Sequence, residues 1–286
     1  MKVKGEHEIF CCGARVKISE RGIEVLSEPL VEYCPLHEAL YGTGKIDGDA
    51  VRKSVEMKIA GHGFCCGSRV FDVGQVVAFG ASEMMRVWLD KGLVDCAVVV
   101  CEGAGTVVTS NGGLVQAIGA RLTGIVRTSP IREVIEHIEA EGGKVLDKAC
   151  ARIDQVEGVS RAFALGFKRV AVSVAGFQAE AISRIRDVGG DVVVFSVCNT
   201  CVRDEDVEHI AKADVVCASA STILREKIGS MALLQVGVAI PVFVLTKKGK
   251  DLVMAYLAEM NERLVAFRSR KLPYLVDNRE PRRVDA

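Results

Sequence analysis

The chain of 286 residues has few aromatic residues and no excess of charge of either sign. It contains ten Phe, four Tyr and one Trp, and its 37 Lys and Arg residues are balanced by 37 Asp and Glu residues. Proteins that bind nucleic acid normally have a basic surplus that neutralises phosphates, or aromatic rings on which bases stack. The composition therefore argues against nucleic acid as a partner.

The sequence also lacks an apolar run long enough to cross a membrane. Residues 232–245 form the longest run, which is interrupted by Gln235, Gly237 and Pro241 and is shorter than the roughly 20 residues of a membrane helix. Residues 1–8 alternate charged with uncharged side chains and have no apolar core of the kind found in a signal peptide. We therefore expect a cytoplasmic protein with no membrane partner.

What the chain does have is 11 cysteines, in a composition that is 49% hydrophobic and 26% charged. These proportions are typical of a folded globular protein with one large domain or two smaller ones. Because thiols inside cells are normally kept reduced, many cysteines favour metal binding or thiol chemistry over structural disulfides. Cysteine is also a small core residue, so simple packing is the alternative.

From residue 95 onward, short β-branched runs alternate with longer amphipathic segments. This pattern is typical of a parallel sheet covered by helices. It predicts an α/β fold that is Rossmann-like, with a mostly parallel sheet flanked by helices, ahead of a (β/α)₈ barrel. The predicted strands are residues 97–101, 124–127, 144–146, 169–174, 191–197, 214–217 and 241–245.

The first part of the chain has a different pattern. It predicts a hairpin over residues 9–26, with its turn at residues 20–22, and a helix over residues 49–60. Farther on, Ser129-Pro130 is a helix start signal, and a long final helix is predicted over residues 247–268. The predicted divisions are a cysteine-rich N-terminal α+β region (1–80), a Rossmann-like α/β domain (81–270) and a C-terminal tail (271–286).

A doubled motif supplies most of the candidate metal ligands. Phe-Cys-Cys-Gly-x-Arg-Val occurs at residues 10–16 and again at residues 64–70, and Cys34 and His37 lie between the two copies. Thiolates bind zinc in tetrahedral sites and hold iron-sulfur clusters, and separate loops can supply the ligands. We predict an iron-sulfur cluster or zinc as cofactor, with buried structural cysteines as the alternative. The predicted ligands are Cys11, Cys12, Cys34, Cys65 and Cys66.

A second thiol group, Cys198 and Cys201, follows the predicted strand 191–197. This position is the carboxyl edge of the sheet, where open α/β folds bind their ligands. A Cys-x-x-Cys pair is either a redox dithiol or half of a metal site. Cys198-Asn-Thr also resembles the nucleophile turn of cofactor-independent aspartate/glutamate racemases, although the Cys-Thr-His of that family is absent. In this interpretation Cys198 and Cys101 are the catalytic residues of an enzyme.

A glycine-containing loop follows the predicted strand 97–101. The backbone amides of Gly103, Gly105 and Thr106 are candidates for binding an anion, and Arg152 is expected near the same rim. The dinucleotide and Walker glycine patterns are both missing, so no nucleotide is specified. We predict a small anionic ligand here, and the alternative is a tight turn that simply requires glycine.

Several segments together resemble the methanogenesis marker protein 8 family of archaea. The resemblance covers residues 28–250 and begins with Glu-Tyr-Cys-Pro-Leu at residues 32–36. It implies a cytoplasmic archaeal protein with an accessory role in methane metabolism and with methanogenesis proteins as partners, and it implies no catalytic residues. The other segments that carry it are residues 95–106, 128–136, 151–158, 170–176, 232–237 and 241–246.

Resemblance and thiol content together favour an accessory factor of archaeal methanogenesis. In this hypothesis the N-terminal cysteines hold the metal or cluster, and the protein supports maturation of a metalloenzyme or cofactor. The first alternative is an α/β enzyme with an anion pocket and a reactive cysteine, working by racemase-like or thiol redox chemistry. The second alternative is a non-catalytic scaffold or binding protein.

Overall fold

The computed structural model describes residues 2–119, 124–276 and 280–284. Its strands are β1 (Glu6–Cys11), β2 (Ala14–Ser19), β3 (Gly22–Val25), β4 (Val31–Tyr33), β5 (Cys96–Cys101), β6 (Gly105–Thr109), β7 (Gly124–Thr128), β8 (Lys144–Val145), β9 (Arg169–Ala175), β10 (Asp191–Val197), β11 (Val215–Cys217), β12 (Leu234–Val236), β13 (Val242–Val244) and β14 (Arg282–Arg283). Its α-helices are α1 (Pro35–Tyr41), α2 (Gly48–His62), α3 (Ala81–Asp90), α4 (Gly112–Gly119), α5 (Arg132–Ala140), α6 (Gln155–Ala164), α7 (Glu180–Val188), α8 (Val207–Ile210) and α9 (Lys247–Leu257).

The larger sheet has the strand order β12-β13-β11-β10-β9-β5-β6-β8. Its central strands β5, β9, β10 and β11 are parallel to one another. The outer pairs are antiparallel, so that six of these eight strands point in the same direction. The predicted α/β fold, with a mostly parallel sheet flanked by helices, is confirmed. In the described residues the sheet is open between β12 and β8, so the barrel alternative is wrong.

Two apolar layers cover the faces of this sheet. Helices α3, α4, α5 and α9 bury one face, with Trp88 and Phe195 at the centre of the layer. Helices α6, α7 and α8 bury the other face around Ile182 and Phe243. Because the central strands are covered on both faces, their sequences are continuous apolar runs and do not alternate between apolar and polar residues. Strand β5, Cys-Ala-Val-Val-Val-Cys, is an example.

The N-terminal part is a smaller antiparallel sheet with the order β3-β2-β1-β7. The predicted hairpin with its turn at residues 20–22 is confirmed as the β2–β3 hairpin, but its predicted start at residue 9 is wrong, because the chain turns a first time between β1 and β2. Cys12 and Gly13 form this turn with φ angles of 52° and 83°. Two consecutive left-handed residues are typical of a two-residue hairpin turn that matches the twist of its strands. The first Cys-Cys motif therefore lies at the tip of a tight hairpin.

Strand β7 was predicted in the main sheet but pairs with β1 in the small sheet. The position beside β5 is taken by β6, which folds back from β5 as a hairpin. Gly103 and Gly105 permit this sharp return with φ angles of 81° and 72°. The predicted loop 103–106 thus becomes the start of a strand.

Two helix boundaries differ from the prediction. Helix α5 begins at Arg132 with Ile131 as its N-cap, because the Ser129 hydroxyl is bonded to the backbone of Glu6 instead of capping the helix. Helix α9 ends at Leu257, well before the predicted end at residue 268. No helix in residues 2–119, 124–276 and 280–284 combines the length and the apolar character that a membrane crossing requires.

Strand pairing crosses both predicted domain boundaries. Strand β7 joins the N-terminal sheet, and β14 of the tail pairs with β4. The division of the chain at residues 80 and 270 stays a prediction. The pairing does bring the N-terminal sheet against the carboxyl edge of the large sheet, and the candidate site lies between them.

Candidate functional site

A cavity of about 650 Å³ lies between the N-terminal part and the carboxyl edge of the large sheet. Its walls include the β1–β2 turn, helix α1, the segment before α3, and the ends of β5, β9 and β10. Cavities that bind small molecules typically have about 300–1,000 Å³. The ligand edge expected for an open α/β sheet therefore coincides with a cavity of suitable size.

Thiols from both halves of the chain line this cavity. The structure brings together four of the residues predicted as metal ligands or as catalytic, and it adds Cys201 of the predicted Cys-x-x-Cys pair and Cys217. Cys65, Cys66 and Cys101 are fully buried and do not belong to the cavity wall. The lining thiols are Cys11, Cys12, Cys34, Cys198, Cys201 and Cys217.

Three lining residues have a left-handed backbone although none of them is glycine. Cys12 and Cys198 both have φ 52°, and Ser219 has φ 50°. Such conformations are uncommon for residues with a side chain and concentrate at functional sites, where the surrounding structure enforces them. Each of the three lies in a turn at the end of a strand, which fixes the direction of its side chain.

Cys11, the last residue of β1, has the most unusual thiol of the site. A hydrogen bond from the Cys12 thiol, the nearby Lys58 ammonium group and a contact with Ser54 outweigh the effect of burial and lower the pKa of Cys11 to about 6. The Cys11 Sγ lies 3.5 Å from the Ser54 Oγ. A thiol with this pKa is a thiolate at neutral pH and hence a nucleophile.

Lys58 provides the positive charge next to this thiolate. Its side chain is 3% exposed, and its ammonium group lies 6.0 Å from the ring centres of both Tyr41 and Phe64. Burial alone would lower the pKa of Lys58, but Cys11, Tyr41 and Cys12 raise it above the usual value. Lys58 therefore stays protonated and forms a buried charge pair with Cys11.

The other lining thiols are protonated near neutral pH. The hydrogen bond to Cys11, together with burial, raises the pKa of Cys12 well above its ordinary value. Burial likewise raises the pKa of Cys34 and Cys217, and that of Cys198 to about 12. The site thus lowers the pKa of Cys11 and raises that of Cys198, and the catalytic role predicted for Cys198 stays a prediction.

His37 on α1 adds a neutral polar group to the cavity wall. Burial, together with the nearby charge of Lys58, lowers the pKa of His37 to about 4. Its Nδ1 lies 3.2 Å from the Thr43 Oγ1, and its ring packs on Tyr41 at a centroid distance of 4.8 Å. Within the described residues its buried Nε2 has no hydrogen-bond partner.

Most of the remaining wall is apolar. Beside this apolar surface lies Glu102, which also lines the cavity and accepts a hydrogen bond from the buried guanidinium of Arg69. The Arg69 guanidinium also donates hydrogen bonds to the carbonyls of Val70 and Ala117. The apolar surface comes mainly from Phe79, Met85, Ile118, Val238 and Ile240.

The predicted anion loop is assembled, but its donors are bonded to the protein. Gly103 N donates to the Thr128 Oγ1 at 2.7 Å. Thr106 N donates to the Arg152 carbonyl at 3.0 Å, and the Arg152 guanidinium pairs with Asp147, Asp154 and Glu157. An anion at this position stays a prediction, and the cavity offers a better formed place for a ligand.

Gly105 has a structural role in the same loop. A Cβ at this position would lie 2.2 Å from the Ala151 carbonyl oxygen, and the backbone has φ 72°. The loop therefore requires glycine here for both space and conformation, which is the alternative stated for this loop.

The predicted five-cysteine metal centre is split by the fold. Cys11, Cys12 and Cys34 line the cavity, whereas Cys65 and Cys66 lie in the core behind it. In the part of the chain that the structure describes, no three His, Cys, Asp or Glu side chains are grouped so that they could hold a metal ion. Metal binding and its ligand set both stay predictions.

Comparisons with known proteins identify the family. Residues 7–258 match the family described as an uncharacterized protein conserved in archaea (DUF2099). An uncharacterized protein of Methanocaldococcus jannaschii is 37% identical to this chain over 270 residues, which cover 93% of this chain and 94% of that protein.

A solved structure is also similar in part. A chain of a nickel-iron hydrogenase complex from Methanosarcina barkeri matches with a TM-score of 0.32 and 14% identity, over 63% of this chain and 72% of that one. A likeness of this size carries no argument about function. From the match over residues 7–258 and the relative in Methanocaldococcus jannaschii, the chain belongs to the archaeal DUF2099 family.

Proposed function

We propose that the protein is a thiol-dependent enzyme that binds a small, largely apolar electrophile in the cavity, with Cys11 as its nucleophile. The observation that carries this proposal is the position of Cys11 in the wall of a mostly apolar cavity, beside the Cys12 thiol and the buried Lys58 ammonium group, which lower its pKa. A thiolate in such surroundings is poorly solvated and hence reactive. The proposal moves the predicted reactive cysteine from Cys198 to Cys11.

The chemical step follows from the two charges of the site. The Cys11 sulfur forms a bond with an electrophilic carbon of the ligand, and the electron pair displaced from that carbon moves to a neighbouring ligand atom. The Lys58 ammonium group transfers a proton to this atom and becomes a neutral amine. The net charge of the site is unchanged, since a thiolate and an ammonium ion are both neutralised.

The test is the site and rate of alkylation of the intact, reduced protein by iodoacetamide at pH 7. We expect peptide mass mapping to show Cys11 modified first, ahead of the exposed Cys150. Cys11→Ser should remove the fast phase, and Cys198→Ser should leave it unchanged. Fast modification that survives in Cys11→Ser would refute the assignment.

The biological setting that we propose is archaeal methane metabolism, in which the protein acts as a cytoplasmic accessory protein beside other methanogenesis proteins. The archaeal family and the resemblance to the methanogenesis marker protein 8 family support this setting. The measurement is affinity purification of the tagged protein from archaeal extract, with a Cys11→Ser control. Methanogenesis proteins should be enriched, and their absence from both preparations would contradict the accessory role.

A second candidate function is binding of zinc or an iron-sulfur cluster for the maturation of a metalloenzyme. The observation that favours it is the meeting of thiols from both halves of the chain at one cavity. Binding would require these side chains to move, because the described residues do not form a ready metal group. Anaerobic purification with iron and zinc analysis tests it, and less than stoichiometric metal in the reduced protein would exclude it.

A further inference from the structure

The cavity contains one polar group whose bonding capacity is unused in the structure. His37 is 5% exposed and lines the cavity, and its Nε2 is buried without a hydrogen-bond partner among the described residues. A buried nitrogen without a partner is destabilising, because it has given up its hydrogen bonds to water. Groups of this kind are normally satisfied, so a ligand or ordered water is the expected partner.

From this geometry we infer that His37 Nε2 donates a hydrogen bond to a carbonyl oxygen of the ligand, and that the ligand is a neutral, largely apolar carbonyl compound. The inference rests on the proposed function, because it assumes that the ligand occupies the same cavity as the Cys11 thiolate. It assigns the polar end of the ligand to His37 and leaves its apolar body to the wall around Phe79 and Ile240.

We assign the ring hydrogen of His37 to Nε2, the tautomer in which the Thr43 hydroxyl donates to Nδ1. His37 is neutral at pH 7, and the Thr43 hydroxyl lies next to its Nδ1. When Thr43 donates to Nδ1, the ring hydrogen is on Nε2 and faces an acceptor. A hydrogen-bond acceptor on the ligand is also compatible with the neighbouring Lys58, because its ammonium group is itself a donor.

The neutrality of the ligand follows from the charges of the cavity. Cys11 and Lys58 compensate each other, and Glu102 is compensated by Arg69. Among the described residues, Lys58 and Glu102 are the only Lys, Arg, Asp or Glu side chains that line the cavity. A charged ligand would enter this apolar space without a counterion, which is unfavourable.

The test uses two probes with the same skeleton, acetophenone and ethylbenzene, which differ in the carbonyl oxygen. Each is added to the reduced full-length protein, and protection of Cys11 from iodoacetamide is measured. Acetophenone should reach half-protection at a concentration about fivefold lower than ethylbenzene, the factor expected for one neutral hydrogen bond. Benzoate should protect less than acetophenone because it is charged.

Two variants assign the preference to His37. His37→Phe keeps an aromatic ring against Tyr41, and in this variant both probes should protect equally, each measured against the variant's own rate of Cys11 alkylation without probe. His37→Gln, which retains an amide donor near the Nε2 position, should keep a preference for acetophenone. Loss of the preference in His37→Phe with its retention in His37→Gln is the result that supports the inference.

The outcomes separate this inference from the proposed function. Equal protection by the two probes in the unmodified protein, better protection by benzoate, or an undiminished preference in His37→Phe overturns the role of His37 and leaves Cys11 as the nucleophile. Absence of fast Cys11 alkylation in the unmodified protein overturns the proposed function itself, and the inference falls with it.

Discussion

The Cys11 thiolate and the Lys58 ammonium group form a buried pair of opposite charges at one wall of the cavity. Cys11 ends a strand of the small sheet, and Lys58 comes from the helix that packs against that sheet. Each group keeps the other charged in a place where burial alone would neutralise both.

The hydrogen bond from Cys12 is the largest factor that lowers the pKa of Cys11. Cys12→Ala removes the donor and should raise the pH midpoint of Cys11 alkylation by about 1 unit or more. Cys12→Ser is the matched control, because its hydroxyl retains a donor at the same left-handed backbone position. A midpoint that is equal in the Ala and Ser variants would show that the Cys12 thiol has no such role.

Lys58 should affect the same midpoint through its charge. Lys58→Met keeps an unbranched apolar side chain and removes the ammonium group, so we expect a higher midpoint and slower alkylation at pH 7. Lys53 is exposed on the same helix and gives the control variant Lys53→Met. Equal pH profiles for the two Met variants would argue against the charge pair.

Removing one partner of the buried ion pair between Arg69 and Glu102 should destabilise the protein more than removing both. Arg69→Met leaves the Glu102 carboxylate buried without its partner, which typically costs about 3–5 kcal/mol in the free energy of unfolding. The double variant Arg69→Met with Glu102→Gln should recover part of this loss, since it removes the uncompensated charge. Urea unfolding measures the free energy of unfolding of Arg69→Met, of Glu102→Gln and of the double variant. If the loss in the double variant equals the sum of the losses in the two single variants, the pairing is contradicted.

A comparison of Gly105 with Gly142 distinguishes the cost of a missing space for a side chain from the cost of a left-handed backbone. Both have a positive φ, but a Cβ on Gly142 meets nothing within 4 Å, whereas one on Gly105 would meet the Ala151 carbonyl at 2.2 Å. Gly142→Ala should cost about 1–2 kcal/mol for the left-handed backbone, and Gly105→Ala should cost clearly more. Equal unfolding free energies for the two variants would mean that the loop at Ala151 moves freely.

The sequence predicts the main sheet well where a strand is buried on both faces. Residues 191–197 are predicted and observed as the same strand, because a continuous β-branched run has few alternatives. Strand β7 has the shorter and less apolar sequence Gly-Ile-Val-Arg-Thr, and it pairs with β1 instead of joining the main sheet. The partner strand of β7 depends on the β5–β6 hairpin, because β6 occupies the position beside β5 in the main sheet. The local sequence of β7 does not reveal this.

The candidate site was only partly predictable for the same reason. Cys11, Cys12, Cys34 and Cys198 were selected by residue type, but their meeting at one cavity depends on how the small sheet packs. Lys58 was missed, although it had a signal: it continues the apolar face of Val51 and Val55 at helical spacing. A lysine on such a face is buried and needs an opposite charge.

The measurement that tests the account most directly is the pH dependence of Cys11 alkylation in the intact, reduced protein. The rate should rise with pH through a midpoint at about 6, the pKa to which Cys12 and Lys58 lower this thiol. At pH 5 it should then be about tenfold below its plateau. A midpoint at about 8.5, the pKa of an ordinary cysteine, would contradict the central claim that Cys11 is a preformed thiolate.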